Sequence, residues 1–144
     1  MADSKATVSI LEKVPLFQSL KRGQLERLAK RFVERDFDTG KNIVTQGQGG
    51  EGFFILVSGK VDVVRERGDG AKVLVNQFTG GDYFGELALL DEGIRTASVI
   101  TKEPTKCLAL TRWDFLAVLR DDADMAVDIL QEMARRFRIA LDSL

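Results

Sequence analysis

The sequence contains no histidine. That absence removes imidazole as a metal ligand, as a general acid or base near neutral pH, and as the middle member of a Ser-His-Asp triad. The single cysteine, Cys107, excludes an internal disulfide framework and sits in an apolar run, where a thiol behaves as an inert core residue. No apolar run reaches the length needed to cross a bilayer, and the N-terminus lacks the apolar stretch of a secretory signal. A net charge of −1 offers no bulk electrostatic case for nucleic acid. These absences predict a soluble, cytoplasmic chain with no catalytic residue, no metal, no cofactor, no membrane contact and no direct nucleic-acid contact.

What remains is one domain's worth of chain. Its 144 residues are 44% hydrophobic, enough for a core and too much for disorder. All of the 13 glycines except Gly23 lie between Gly40 and Gly93. Such density among short apolar runs calls for many tight turns and therefore an all-β centre. Strands are expected at Val33–Phe37, Asn42–Thr45, Phe53–Val57, Val61–Glu66, Lys72–Phe78, Thr96–Thr101 and Thr105–Leu110, with a hairpin turn at Gly68-Asp69-Gly70 and a turn at Pro104.

Helices are expected on either side. Residues 1–9 read as frayed, Ser9 to Val14 as a short helical turn, and Pro15–Leu20 as a loop with Leu16, Phe17 and Leu20 packed inward. Leu25, Leu28, Ala29 and Phe32 fall at helical spacing. Thr111 reads as the N-cap of a helix to about Leu119. The run Asp121-Asp122-Ala123-Asp124 lacks the ligand spacing of a calcium loop and reads as a second cap, before a helix from Met125 to about Leu141. Along that helix Ala126, Leu130, Met133, Phe137, Ala140 and Leu144 form a short heptad seam. It suits either a homodimer contact or packing on the chain's own core. Arg135, Arg136 and Arg138 complement the helix dipole.

The densest chemistry lies in Gly80–Thr101. A glycine turn leads into Gly85-Glu86-Leu87-Ala88-Leu89-Leu90, long enough for about two helical turns. A helix N-terminus, a residue without Cβ and the donor fork of Arg95 together make an anion site. Glu86 either accepts hydrogen bonds from a ligand hydroxyl or merely complements the helix dipole. Arg95 either holds the anion or pairs with Asp91 or Glu92.

The run Phe84-Gly85-Glu86-Leu87-Ala88-Leu89-Leu90 followed by Arg95-Thr96-Ala97 closely resembles the phosphate-binding cassette of cyclic nucleotide-binding domains, a family that includes kinase regulatory subunits, gated channels and bacterial catabolite activators. The glycine-punctuated segment Gln46–Val63 resembles that family's β-roll core. The resemblance runs from about Val14 to the C-terminus. It implies a mainly β fold with flanking helices: a β-roll, that is, a double-stranded β-helix or jelly-roll-like barrel, with an N-terminal helix and two C-terminal helices. The implied organisation of residues 1–144 is a helical segment at 1–32, the β-roll at 33–111 with the cassette at 84–97, and C-terminal helices at 112–144.

The resemblance also implies a ligand, cAMP first with cGMP left open, and a set of contacts. Phe84, Gly85, Glu86, Leu87, Ala88, Arg95, Thr96 and Ala97 would form the phosphate and ribose site. Val63, Val73, Val75 and Phe78 lie on strands that face the base in the family, and each also suits an ordinary core position. Thr96 leaves the choice of base open. Where a catabolite activator places a Thr-Ser pair against adenine, this chain has Ala140-Leu141, which leaves an apolar lid or Arg138 to take that role. The implied activity is a sensor that couples nucleotide capture to movement of the helices after Thr111 and acts on an effector domain or protein outside this chain. The alternative is a ligand-free scaffold of the same fold. A metal-dependent β-roll enzyme falls with the missing histidines.

Overall fold

The computed structural model describes residues 4–49, 52–91 and 93–144. These residues divide into a β unit, Phe32–Arg112, and a helical unit made of residues 4–31 and Trp113–Leu144.

The β unit carries eight strands among its described residues: β1 (Val33–Phe37), β2 (Asn42–Val44), β3 (Gly52–Ser58), β4 (Lys60–Glu66), β5 (Lys72–Thr79), β6 (Tyr83–Phe84), β7 (Ser98–Thr101) and β8 (Thr105–Thr111). They form two four-stranded sheets in the orders β1-β8-β3-β6 and β2-β7-β4-β5, with antiparallel pairing throughout. This is the expected jelly-roll-like β-roll. β3 lies between β8 and β6, and Phe53-Phe54-Ile55-Leu56 is buried on both faces, as its unbroken apolar run requires. Phe54 and Leu56 join Ile43, Val44, Val61, Val99, Cys107 and Ala109 in one core cluster, with Phe37, Val63, Phe78 and Phe84 packed against it. Burial raises the Cys107 thiol to about 11, against a smaller lowering by Arg35. It is a protonated core residue.

Turn chemistry supplies the corners. Asp69 Oδ1 accepts the Ala71 N–H at 2.9 Å and Gly70 takes φ 86°, which closes the predicted β4–β5 hairpin. One feature of that hairpin departs from simple alternation. Val63 pairs with Asn76 but Val64 pairs with Leu74, so Val75 is an extra residue in a β-bulge. Period-2 reading puts Val73 and Val75 on one face. The bulge breaks that, leaving Val73 half-buried and Val75 49% exposed.

The helical unit contains α1 (Ser4–Leu11), a 3-10 turn at Pro15–Phe17, α2 (Arg22–Ala29), α3 (Arg112–Asp121) and α4 (Ala123–Asp142). α1 begins earlier than the expected turn at Ser9, because Thr7, Val8 and Leu11 share a buried stripe. Leu16, Phe17 and Leu20 are buried as expected, and the Phe17 ring lies 5.9 Å from that of Phe115. Asp122 caps α4, accepting the Met125 N–H at 3.0 Å. α4 packs on the 3-10 turn and buries Met125, Ile129 and Glu132. Its heptad seam is only partly covered: Ala126 and Met133 are half-buried, while Leu130 and Phe137 are 68% and 65% exposed. No helix among the described residues is long and apolar enough to cross a membrane.

Candidate functional site

The cassette is built from its base upward. A turn at Gly80-Gly81-Asp82 is closed by Asp82 Oδ2 accepting the Thr79 N–H at 2.8 Å. Leu56 and this turn then exchange two backbone bonds of 2.8 Å, Gly81 N–H to Leu56 O and Leu56 N–H to Asp82 O. β6 follows, pairing Phe84 with Phe54 and Tyr83 with Ile55. The Phe84 ring stacks on Phe54 at 5.2 Å and on Phe78 at 6.0 Å. Phe84 is therefore the anchor that fixes the start of the cassette to the core.

Gly85 comes next at φ 87°, a left-handed conformation that favours glycine. A Cβ there would lie 2.6 Å from Arg95 Nη1 and 2.6 Å from Gly52 O. The absent side chain thus makes room for the guanidinium itself. The segment after Gly85 is a 3-10 helix of four residues, Glu86–Leu89, and not the expected two helical turns. Ala88 and Leu89 are buried, which pulls the segment in tightly. So short a turn carries little aligned dipole, and the positive character of the site rests on Arg95.

Arg95 is held from three directions. Its Nη2 donates to Gly52 O at 2.6 Å. Its backbone N–H donates to Gln48 O, and its carbonyl accepts the Gly47 N–H, both at 2.9 Å. Gly49 and Ile94 form an antiparallel bridge beside it. The loop 46–49 is thereby zipped onto the chain entering β7. Gln46 extends the zipper. Its backbone N–H donates to Ser98 Oγ at 2.9 Å, while its side chain takes the Glu66 N–H at 2.7 Å and donates to Glu66 O at 2.9 Å. The amide of Gln46 stands in for a strand neighbour at the end of β4. Arg65 adds a bond from Nε to Thr96 O at 3.3 Å.

The cassette turn and the chain around Arg95 line an open cleft of about 370 Å³. Gly85, Glu86, Leu87, Ala88, Arg95 and Thr96 line it, so six of the cassette residues named from sequence come together. Asp91, Gly93 and Ile94 line it as well. Asp91 Oδ1 accepts the Gly93 N–H at 3.0 Å; Glu92 lies outside the described residues. Phe84 and Ala97 do not line the cleft: one anchors the core, and the other is half-buried before β7. Val63, Val73 and Val75 lie on the β4–β5 hairpin and are not in the lining, and Arg138 is exposed on α4.

Sequence reasoning passed over Gly52, Gln46 and Arg65 as parts of the site. Gly52 carried one signal, a glycine opening an apolar strand, which marks close backbone approach. Its φ is 140°, and a Cβ would meet Leu110 O at 2.1 Å. Among the described residues no cluster of three or more His, Cys, Asp or Glu could hold a metal ion.

Comparison with known proteins agrees with this architecture. The family profile described as cyclic nucleotide-binding domain matches residues 34–122. The cyclic AMP receptor protein of Thermus thermophilus is 36% identical over 126 residues, covering 88% of this chain and 58% of that protein. A cAMP-dependent protein kinase regulatory subunit of Aspergillus niger is 36% identical over 111 residues, covering 77% of this chain and 26% of that protein. Among solved structures, the N-terminal domain of a transcriptional regulator from Streptomyces coelicolor A3(2) superposes with a TM-score of 0.83 at 29% identity, covering 94% of this chain and 96% of that one. The chain therefore spans little more than half the length of the first of these relatives. With the profile match spanning most of the β unit and two relatives above 30% identity, the chain belongs to the cyclic nucleotide-binding domain family.

Proposed function

We propose that this chain is a sensor module that binds a 3′,5′-cyclic purine nucleotide, cAMP first, in the cleft between the cassette turn and Arg95. The observation that carries the reading is the placement of Arg95. Gly52 O and the space left by Gly85 fix its guanidinium in the cleft that Glu86 also lines. A guanidinium fork suits the charged oxygens of a cyclic phosphate, and a carboxylate suits a ribose hydroxyl. Thr96 adds a second polar side chain to the lining. The relatives named for cyclic AMP support cAMP as the first ligand to try.

Binding transmits information only if the nucleotide favours one conformation over another. We assign the responding part to the helices after Thr111, acting on an effector domain or partner outside this sequence. The exposed seam of α4, with Leu130 and Phe137, suits a second copy of the same helix. The module works by binding, without a chemical step.

Thermal melts with and without cAMP and cGMP test the ligand. At a hundredfold excess over the dissociation constant the fold should gain about 2.7 kcal/mol. No change in melting temperature with either nucleotide at millimolar concentration overturns the sensor reading.

A further inference from the structure

Among the described residues, the cleft is lined by more negative than positive side chains. Glu86 and Asp91 contribute two carboxylates to its lining and Arg95 one guanidinium. Glu86 has a role in the reading above, as acceptor for a ribose hydroxyl. Asp91 has none. Its carboxylate is exposed but tethered: Oδ1 accepts the Gly93 N–H at 3.0 Å, and a Cβ on Gly93 would lie 3.0 Å from the same oxygen. The side chain is thus folded back onto its own turn, in the lining of the cleft.

Resting on the proposed function, we infer that Asp91 is a specificity residue that sets the charge of the ligand the cleft accepts, favouring a cyclic phosphodiester over an open phosphomonoester. Arg95 alone would reward each negative charge added to a ligand. It would therefore favour the monoester formed when the cyclic ring is hydrolysed, because that product carries nearly two charges at neutral pH, its second ionisation lying at about 6. Coulomb repulsion from Asp91 grows with ligand charge in the same way and opposes that preference. A cyclic phosphodiester carries a single charge and meets the smaller penalty. The device weakens binding of the wanted ligand slightly and of the unwanted one more, which is how a site discriminates by repulsion.

The test compares cAMP and adenosine 5′-monophosphate by calorimetry or competition at pH 7.5 and low salt, on the parent, Asp91→Asn and Asp91→Glu. Asparagine keeps the Oδ1 acceptor for Gly93 and removes only the charge. Asp91→Asn should tighten cAMP about threefold and 5′-AMP about tenfold, narrowing the discrimination about threefold. That narrowing should fade in about 0.5 M salt, where the screening length is only a few ångströms. Asp91→Glu keeps the charge and should keep the discrimination. An equal change for both nucleotides in Asp91→Asn, or the same narrowing in Asp91→Glu, overturns the inference while leaving the sensor reading intact. A parent protein that binds neither nucleotide overturns the sensor reading and this inference with it.

Discussion

The cassette and α4 both expose large apolar side chains, but only the cassette sets them among polar groups in a cleft. Around the cleft, Ala88 and Leu89 are buried and Phe84 packs on the core, while Leu87 and Ile94 stay 57% and 67% exposed beside the polar Glu86, Asp91, Arg95 and Thr96. On α4, Met125 and Ile129 are buried, while Leu130, Phe137 and Ile139 remain 61% exposed or more. The first arrangement gives a small cleft with a mixed polar and apolar lining. The second leaves apolar area available to a partner surface. Ligand chemistry and assembly should therefore separate by mutation, each region answering to its own kind of substitution.

The largest effect expected is on the polar side. Arg95→Ala should weaken cyclic nucleotide binding by about 2–5 kcal/mol, since the phosphate loses its charged partner. Glu86→Gln should cost less, because a neutral acceptor for the hydroxyl remains. Calorimetric titration of the two variants decides it. If Arg95→Ala binds like the parent, the phosphate does not sit at the cleft.

Gly52→Ala joins frame and site in one substitution. The new Cβ would fall on Leu110 O, at a backbone φ of 140° that L side chains rarely adopt. Strain and overpacking should cost about 3 kcal/mol of stability. The shift of Gly52 O should also loosen Arg95, so nucleotide affinity should fall even at temperatures where the variant is fully folded. A destabilised variant with parental affinity would show that the Gly52 carbonyl does not position the guanidinium.

Phe137→Glu addresses the other region. A charge placed in an apolar seam should weaken self-association by about 2 kcal/mol, with nucleotide affinity kept within a small factor. Sedimentation velocity at micromolar concentration is the measurement. A parent protein that is monomeric with and without cAMP removes the seam as an assembly surface, and the contrast with the cassette then rests on the cleft alone.

What could be read from sequence follows the range of the interactions involved. β3 was legible because Phe53-Phe54-Ile55-Leu56 is a local pattern, and the cap at Asp122 because capping is decided within one turn. The cassette was legible as a string of residue types, from Gly85 to Thr96. Its geometry was not, because burial of Ala88 and Leu89 tightens the segment into a 3-10 turn that propensity alone reads as longer. Gly52 and Gln46 escaped notice because their partners, Arg95 and Glu66, lie 43 and 20 residues away in sequence. The bulge at Val75 depends on pairing across β4 and β5, which no single strand encodes. Local patterns gave the elements; contacts across the sheets set the site.

The smallest effect expected tests the start of α4. The Asp122 carboxyl is held below the ordinary carboxylate range, chiefly by the Met125 backbone N–H and further by Arg27. A group lowered on folding contributes stability that is fully present above its unfolded pKa, about 3.9, and is lost as the pH falls through the folded value. Asp122→Asn keeps an acceptor for Met125 but gives up the charge that pairs with Arg27. The variant should therefore melt below the parent at pH 7. The gap should close as the pH is lowered below 4, because the parent's own carboxyl then becomes neutral. Melting curves of both proteins between pH 7 and pH 3 make the comparison. A gap that stays constant over that range would mean the carboxylate charge contributes nothing at this cap, and that α4 starts from the neutral hydrogen bond to Met125 and the packing of Met125 and Ile129.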